Sequence, residues 1–405
     1  MPNSPQPESR YAWTRLLIAL ALSTIGGVGM WSVIVALPAV QAEFGVARAD
    51  ASLPYTLTMI GFGISGILLG RATDRLGIML PSLLCTLALA LGFVAAASAS
   101  ALWQFALLQG LLIGTGSAAT FAPLMADTSQ WFTRRRGIAV GIFASGNYLS
   151  GTLWPPILQH FIAEHGWRAT YLGVALFCVA SMLPLALMLR RRPPSHAPST
   201  PGAAVQRVHT MPLGMSPRAL QTLLVIAGVA CCVAMSMPQV HIVAYCADLG
   251  YGPAVGAQML SLMLACGIVS RVSFGFISDR IGGLRTLLLG SSLQGLALLL
   301  FLPFDGLVPL LLISALFGLF QGGIVPSYAI IIREYFPAAE AGWRVGFVIT
   351  ATLFGMALGG WMSGAIFDLS GSYSAAFVNG TLWNALNLTI AFMLLRRARH
   401  SFAPA

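Results

Sequence analysis

Of 405 residues, 57% are hydrophobic and 8% are charged, and the mean hydropathy is +0.81. No water-soluble chain of this length has that composition, so the solvent of this protein is a lipid bilayer. The formal charge of +10 would suggest nucleic acid in a soluble protein, but all 22 basic residues are arginines, and their distribution matters more than their sum.

The chain opens on a polar segment, MPNSPQPESR, followed by an apolar run of about 25 residues with no small-residue cleavage site close behind it. We read this run as a retained first span. Nearly uncharged apolar runs of about 20 residues, the length that crosses a bilayer, recur at 16–40, 51–70, 78–98, 101–126, 137–160, 169–189, 220–246, 254–277, 286–303, 307–332, 345–367 and 373–395. Twelve spans put both termini on one side. Nineteen arginines then fall in the tails and even-numbered loops: Arg10, Arg15, Arg71, Arg75, Arg134 to Arg136, Arg190 to Arg192, Arg207, Arg218, Arg280, Arg285, Arg333, Arg344, Arg396, Arg397 and Arg399. Arg48 and Arg168 fall opposite, and Arg271 lies inside a span. This is the positive-inside signature, and it puts both termini in the cytoplasm. The basic charge serves topology and the lipid surface, so no nucleic-acid partner is expected.

Cys85, Cys178, Cys231, Cys232, Cys246 and Cys266 all sit in expected spans without metal-ligand spacing. They read as small apolar packing residues. The segment HFIAEH holds His160 and His165 five apart, about 140° round a helix, so they share no face and match no zinc-hydrolase spacing. No enzyme, metal or cofactor is expected.

The chain repeats itself. GRATDRLG after the second span and GFISDRIG after the eighth align at one offset, so that Gly70, Asp74, Arg75 and Gly77 become Gly275, Asp279, Arg280 and Gly282, each 205 residues later. At the same offset Gly166 meets Gly371 and Gly141 meets Gly346. The expected organisation is therefore a six-helix half over 1–189, a flexible cytoplasmic linker over 190–218 that is rich in Pro, Ser and Arg, and a second six-helix half over 219–405. The fold class is all-α integral membrane, with two pseudo-symmetric six-helix bundles related by an axis along the membrane normal.

G-x-x-x-D-R-x-G between spans two and three, repeated between eight and nine, resembles the major facilitator superfamily of transporters. Its glycines permit a tight turn against neighbouring helices, and its acid can pair with helix-end donors or an arginine to lock a gate. The further basic residues usual after the last glycine are absent, with Ile78, Met79 and Leu80 in their place. Ala106 stands where the drug/proton antiporter branch carries a span-four arginine, which counts against that branch.

A narrower resemblance, to the monocarboxylate transporter and oxalate:formate exchanger branch, rests on LPAVQAEFGVARADASLPYTLTM, WFTRRRGIAVGIFASGNYLSGTLWPP, GWRATYLG, PQVHIVAYCADLGY, SRVSFGFISDRIG and FGLFQGGIVPSYAIIIREYFP. Its most specific element is the span-eight arginine eight residues before the acid of the loop. The resemblance implies that Arg271 binds a substrate carboxylate.

The residues themselves agree. A guanidinium at membrane depth costs several kcal/mol, with estimates from about 2.5 upward. Arg271 lies about 12 Å of helix from Asp279, far for snorkelling, and no acid occurs deep in any expected span. Gly267 and Gly275, at i−4 and i+4, make its helical face small. Its planar fork suits a carboxylate. The oxalate exchanger that the branch includes has a second cation in span eleven, whereas this span carries no charge and offers Thr350 and Thr352. One guanidinium favours one carboxylate.

Asn147, Tyr148, Phe121, Gln321 and Tyr328 are further candidates for the cavity wall. Trp31, Tyr55 and Trp154 read as packing or interfacial aromatics. His241, after Pro238, is the candidate for hydrogen-bonding the substrate or taking a proton. Animal members of the branch carry an Asp four residues before the span-eight Arg and a Lys in span one. Gly267 and the absence of lysine rule out carrying that relay over.

The expected function is thus secondary transport of small monocarboxylates of the lactate or pyruvate kind by alternating access, coupled to a proton, in a multi-pass cell membrane such as a bacterial inner membrane. A monomeric carrier is expected. Organic-anion exchange, efflux of a larger organic acid, and a membrane sensor that binds without transporting are the competing readings.

Overall fold

The computed structural model describes residues 8–132, 135–191 and 212–401. Most of the expected linker, with its arginines at 192 and 207, and Arg134 lie outside the described residues. In hydrocarbon each backbone N–H and C=O needs a partner within the segment, which leaves the helix as the only solution for runs this long. Among the described residues, eleven helical runs are long and apolar enough to cross a membrane.

We number the spans by structure: one, Arg10–Phe44, built of two helices meeting at Gly27; two, Arg48–Leu76; three, Met79–Ala97; and four, Leu102–Gln130. Spans five and six form one unbroken assignment, Arg136–Met188, whose 53 residues are interrupted at Gly166 with φ 78° and ψ 162°. Only glycine takes that backbone without strain, so the run folds back as two helices and the expected twelve spans are recovered. The remainder are seven, Pro217–Asp248; eight, Pro253–Ile281; nine, Gly283–Leu300; ten, Leu307–Tyr335; eleven, Ala338–Ser370; and twelve, Tyr373–Ser401.

The sequence repeat is also a backbone repeat. Span two and span eight begin and end 205 residues apart, and so do spans four and ten. Gly77 and Gly282, the last glycines of the two loop motifs, adopt φ 80°, ψ 168° and φ 80°, ψ 166°. Each donates its N–H back to the helix it ends, to the Thr73 and Ser278 carbonyls at 2.9 Å.

The chain packs as two compact units: Met1–Ala197 with Ile242–Ala265, and Pro198–His241 with Cys266–Ala405. The hairpin 242–265, which the repeat assigns to the second half, thus packs with the first. In that unit Arg48 donates to Asp248 at 3.1 Å, Ser261 donates to the Thr152 carbonyl at 2.5 Å, and Ala244 joins Leu37 and Ala51 in a small apolar cluster. Large apolar side chains such as Leu111, Leu176 and Phe276 are left exposed on the helix surfaces, as a lipid-facing wall requires.

Candidate functional site

In the second unit the candidates gather around spans seven, eight and ten. On span eight Val269, Val272 and Phe276 form an exposed apolar stripe. Arg271 is half-buried and lies roughly 130° round the helix from that stripe, away from the lipid-facing side. The two glycines flanking it on its own face differ. A Cβ at Gly275 would meet nothing within 4 Å, whereas the Gly267 carbonyl is closed over by Gly322 of span ten. A Cβ at Gly322 would come within 2.7 Å of that carbonyl and 2.8 Å of the Arg271 nitrogen. The Gly322 N–H donates to Ser270 Oγ at 3.0 Å. Span ten is therefore docked backbone to backbone on the turn that carries the guanidinium.

This docking coincides with a break. Span ten runs as a helix over Leu307–Gln321 and resumes over Ile324–Tyr335, while span four stops after Ala118 and resumes over Ala122–Gln130. The two breaks lie within three residues of one another at the 205-residue offset, and interrupted spans in the two halves of a carrier point to its binding site. Two candidates sit at these breaks, Gln321 and Phe121. Span four also carries a π-helical stretch, Gln109–Gly114, ahead of its break, where Gln109 Nε2 donates to the Tyr171 hydroxyl at 2.8 Å. Such stretches are frequent at functional sites.

Gln321 is 1% exposed, and its Oε1 accepts a hydrogen bond of 2.7 Å from Gln239 Nε2 of span seven. Its own Nε2 is buried without a hydrogen-bond partner. Gln239 is not among the candidates from sequence; its signal is a glutamine directly after Pro238, two residues before His241, in a largely apolar helix.

His241 is fully buried, with Nε2 2.7 Å from the Gly360 carbonyl and Nδ1 3.0 Å from the Tyr373 hydroxyl. A carbonyl only accepts, so Nε2 carries the proton and Nδ1 of the neutral ring accepts from the tyrosine. It is thus enclosed within the unit. Tyr328 is likewise fully buried: its hydroxyl donates to Asn387 Oδ1 at 2.9 Å, and Asn387 Nδ2 donates to Ser291 Oγ at 2.7 Å. Its polar end is spent on tying span ten to spans nine and twelve.

The first unit holds the remaining candidates. Phe121 is half-buried against Phe62, with ring centroids 6.3 Å apart, and Asn147 and Tyr148 are half-buried on span five. Trp31, Tyr55 and Trp154 are buried, the last donating to the Thr24 carbonyl at 2.9 Å, in keeping with packing roles.

In the loop motifs, Gly70 and Gly275 face open space, and Arg75, Asp279 and Arg280 are exposed. Glu334 of span ten caps the start of span nine, accepting the Gly283 N–H at 2.9 Å, a role the sequence suggested for the motif acid.

The sequence reading also missed a buried ion pair. Arg15, 2% exposed, donates from Nε and Nη2 to both oxygens of Asp127 at 2.9 and 3.0 Å, from Nη1 to the Leu189 carbonyl at 3.1 Å, and lies over the Trp131 ring. Arg15, which the sequence assigns to the tail, lies within the first helix, and Asp127 lies within Ala122–Gln130. Nearer the other end of the unit, Arg168 bridges Glu43 and the Ala97 and Ala99 carbonyls. Among the described residues no group of three or more His, Cys, Asp or Glu is placed to hold a metal ion, and the six cysteines are free.

A family model described as Major Facilitator Superfamily matches residues 19–310 and 272–404. Among curated proteins, the chain is 27% identical to Monocarboxylate transporter 13 of Bos taurus over 384 residues, 92% of this chain and 86% of that one. It is 29% identical to Monocarboxylate transporter 11 of Mus musculus over 397 residues, 93% and 86% of the two chains. Among solved structures, a bacterial homologue of the human lysosomal transporter Spinster superposes with a TM-score of 0.76 at 13% identity, over 98% of this chain and 100% of that one. The nucleoside transporter NupG superposes with a TM-score of 0.72 at 14% identity, over 95% and 99%. At these identities the structures speak for the fold alone.

Proposed function

The chain belongs to the major facilitator superfamily, and from that premise we propose that it carries small monocarboxylates of the lactate or pyruvate kind across a cell membrane by alternating access, together with a proton. As a member of a transporter family it is a multi-pass membrane carrier and not an enzyme. The observation that carries the substrate class is Arg271, a guanidinium in the middle of an apolar span, turned from the lipid-facing stripe and seated where span ten breaks. A planar fork there gives a carboxylate charge-assisted, bidentate recognition. Beyond Arg344 at its start, which is engaged with Glu340, span eleven offers no second cation, which supports one carboxylate per substrate. The names of the bovine and murine relatives point the same way.

His241 supports the proton. Its Nδ1 accepts from a tyrosine hydroxyl, a group that both donates and accepts. Turning the Tyr373 hydroxyl lets it accept instead, so the ring can take a second proton with both N–H groups satisfied. The arginine asymmetry supports cytoplasmic termini.

Uptake of labelled lactate and pyruvate into proteoliposomes tests the proposal. Uptake driven by an inward proton gradient, accompanied by lumenal acidification, is expected. Uptake that requires an internal anion and ignores the pH gradient would make the protein an exchanger, and binding without uptake would make it a sensor.

A further inference from the structure

The Gln239–Gln321 pair has a direction. Gln321 Oε1 is taken up by the Gln239 amide at 2.7 Å, so the group that Gln321 retains is its Nε2, a pair of N–H donors buried at 1% exposure without a partner. A buried donor left unmade is costly, and a chain keeps one where something else supplies the acceptor. The next residue, Gly322, is docked on the backbone nitrogen of Arg271, so the backbone at Gln321 stands one residue from the contact with the turn that carries the proposed carboxylate fork.

We infer that Gln321 is a substrate-contacting donor that reads a second acceptor oxygen on the acid, adjacent to its carboxylate, and that Gln239 is the positioning residue that fixes the amide in its donor orientation. This rests on the reading of Arg271 given above. The division of labour follows from chemistry. The arginine binds every carboxylate, whereas an amide presenting only N–H groups favours acids with a neighbouring carbonyl or hydroxyl oxygen over acids with a methylene there. Without Gln239 the amide could turn either way, and its preference would be lost although neither charge nor volume at Gln321 had changed.

The repeat supports the specialisation. The positions 205 residues before Gln321, Gln239 and Arg271 are Gly116, Ile34 and Gly66, so these polar groups belong to the second repeat and not to a feature the repeats share.

The test measures binding of pyruvate and propionate, acids that differ at the position next to the carboxylate, to the purified full-length protein, and reads the ratio of their dissociation constants. The wild type should prefer pyruvate, by about 3- to 10-fold for a neutral hydrogen bond. Gln321→Met should bring the ratio to about one while propionate affinity holds. Gln239→Glu offers only an acceptor, captures the Gln321 N–H groups and turns its carbonyl toward the site. It should also collapse the ratio, and any general effect of its charge cancels between the two acids. Arg271→Ala should weaken both acids alike.

A wild type with no preference, or a Gln321→Met protein that keeps the preference, overturns the assignment of Gln321 and leaves the carboxylate reading standing. Preference retained in Gln239→Glu overturns the orienting role. Should Arg271→Ala bind both acids normally, or the wild type bind neither, the carboxylate reading falls and this inference with it. If Gln321→Met fails to fold, Gln321→Glu, which keeps the size and the bond from Gln239 but has no donor, decides the same ratio.

Discussion

Spans four and ten occupy the same place in the two repeats, and each breaks partway, but they put their polar groups in different places. Span four ends in Asp127, held by Arg15 in a buried pair at 2.9 Å. The positions 205 residues later are Ile332 and Leu220, both fully buried and apolar. Span ten instead has its polar group at the break, Gln321, next to the turn of Arg271, where the first repeat has Gly116 and Gly66. One fold thus tolerates either an ion pair or two aliphatic side chains at one locus, and either a glycine or a guanidinium at the other. The difference teaches that Arg15 is a structural charge held in a buried ion pair, and it sets that charge against the recognition role proposed for Arg271.

The largest effect should come from breaking the built-in pair. Asp127→Ala leaves the Arg15 guanidinium buried beside nothing of opposite charge and should cost about 3–5 kcal/mol of stability, read by thermal unfolding in detergent. The double change Arg15→Leu with Asp127→Ile copies the second repeat and should restore most of that loss, because replacing a whole buried pair by packed aliphatics is often neutral or stabilising. A double variant as unstable as the single one would show that the loci are not equivalent.

Next comes the charge proposed to bind the substrate. Arg271→Ala should weaken binding of small carboxylates by roughly 10- to 150-fold, the equivalent of about 1.5–3 kcal/mol, with the melting temperature little changed. Arg271→Lys should retain part of the affinity, since it keeps the charge and loses the planar fork. A melting temperature that falls as far as for Asp127→Ala would erase the contrast between the two arginines.

The docking of span ten gives a third comparison within one helical face. Gly322→Ala places a Cβ within 2.8 Å of backbone on span eight, and should cost about 1–3 kcal/mol and several-fold in carboxylate affinity by displacing the Arg271 turn. Gly275→Ala, which meets open space, should be stability-neutral or gain up to about 1 kcal/mol.

The smallest effect concerns protons. A neutral histidine that gains a proton on Nδ1 to load the carrier makes uptake rise as external pH falls. His241→Ala should flatten that profile. A profile unchanged in His241→Ala would reduce His241 to the satisfied packing residue that its two hydrogen bonds also describe.

Composition and the lengths of the apolar runs were enough to establish an all-α chain of many membrane spans, because a bilayer permits little besides helices of one length. They also singled out Arg271, since a charge in an apolar run is visible without any coordinates. Partnership was not visible. That Arg15 and Asp127, 112 residues apart, enclose one another, that Glu334 caps span nine, and that the hairpin 242–265 packs with the first unit are long-range matters of which helices meet. The same holds for the orientation of Gln321 and the enclosure of His241: residue types announce what a group can donate or accept, and only tertiary packing decides which of those capacities is spent inside the protein and which is left for a ligand.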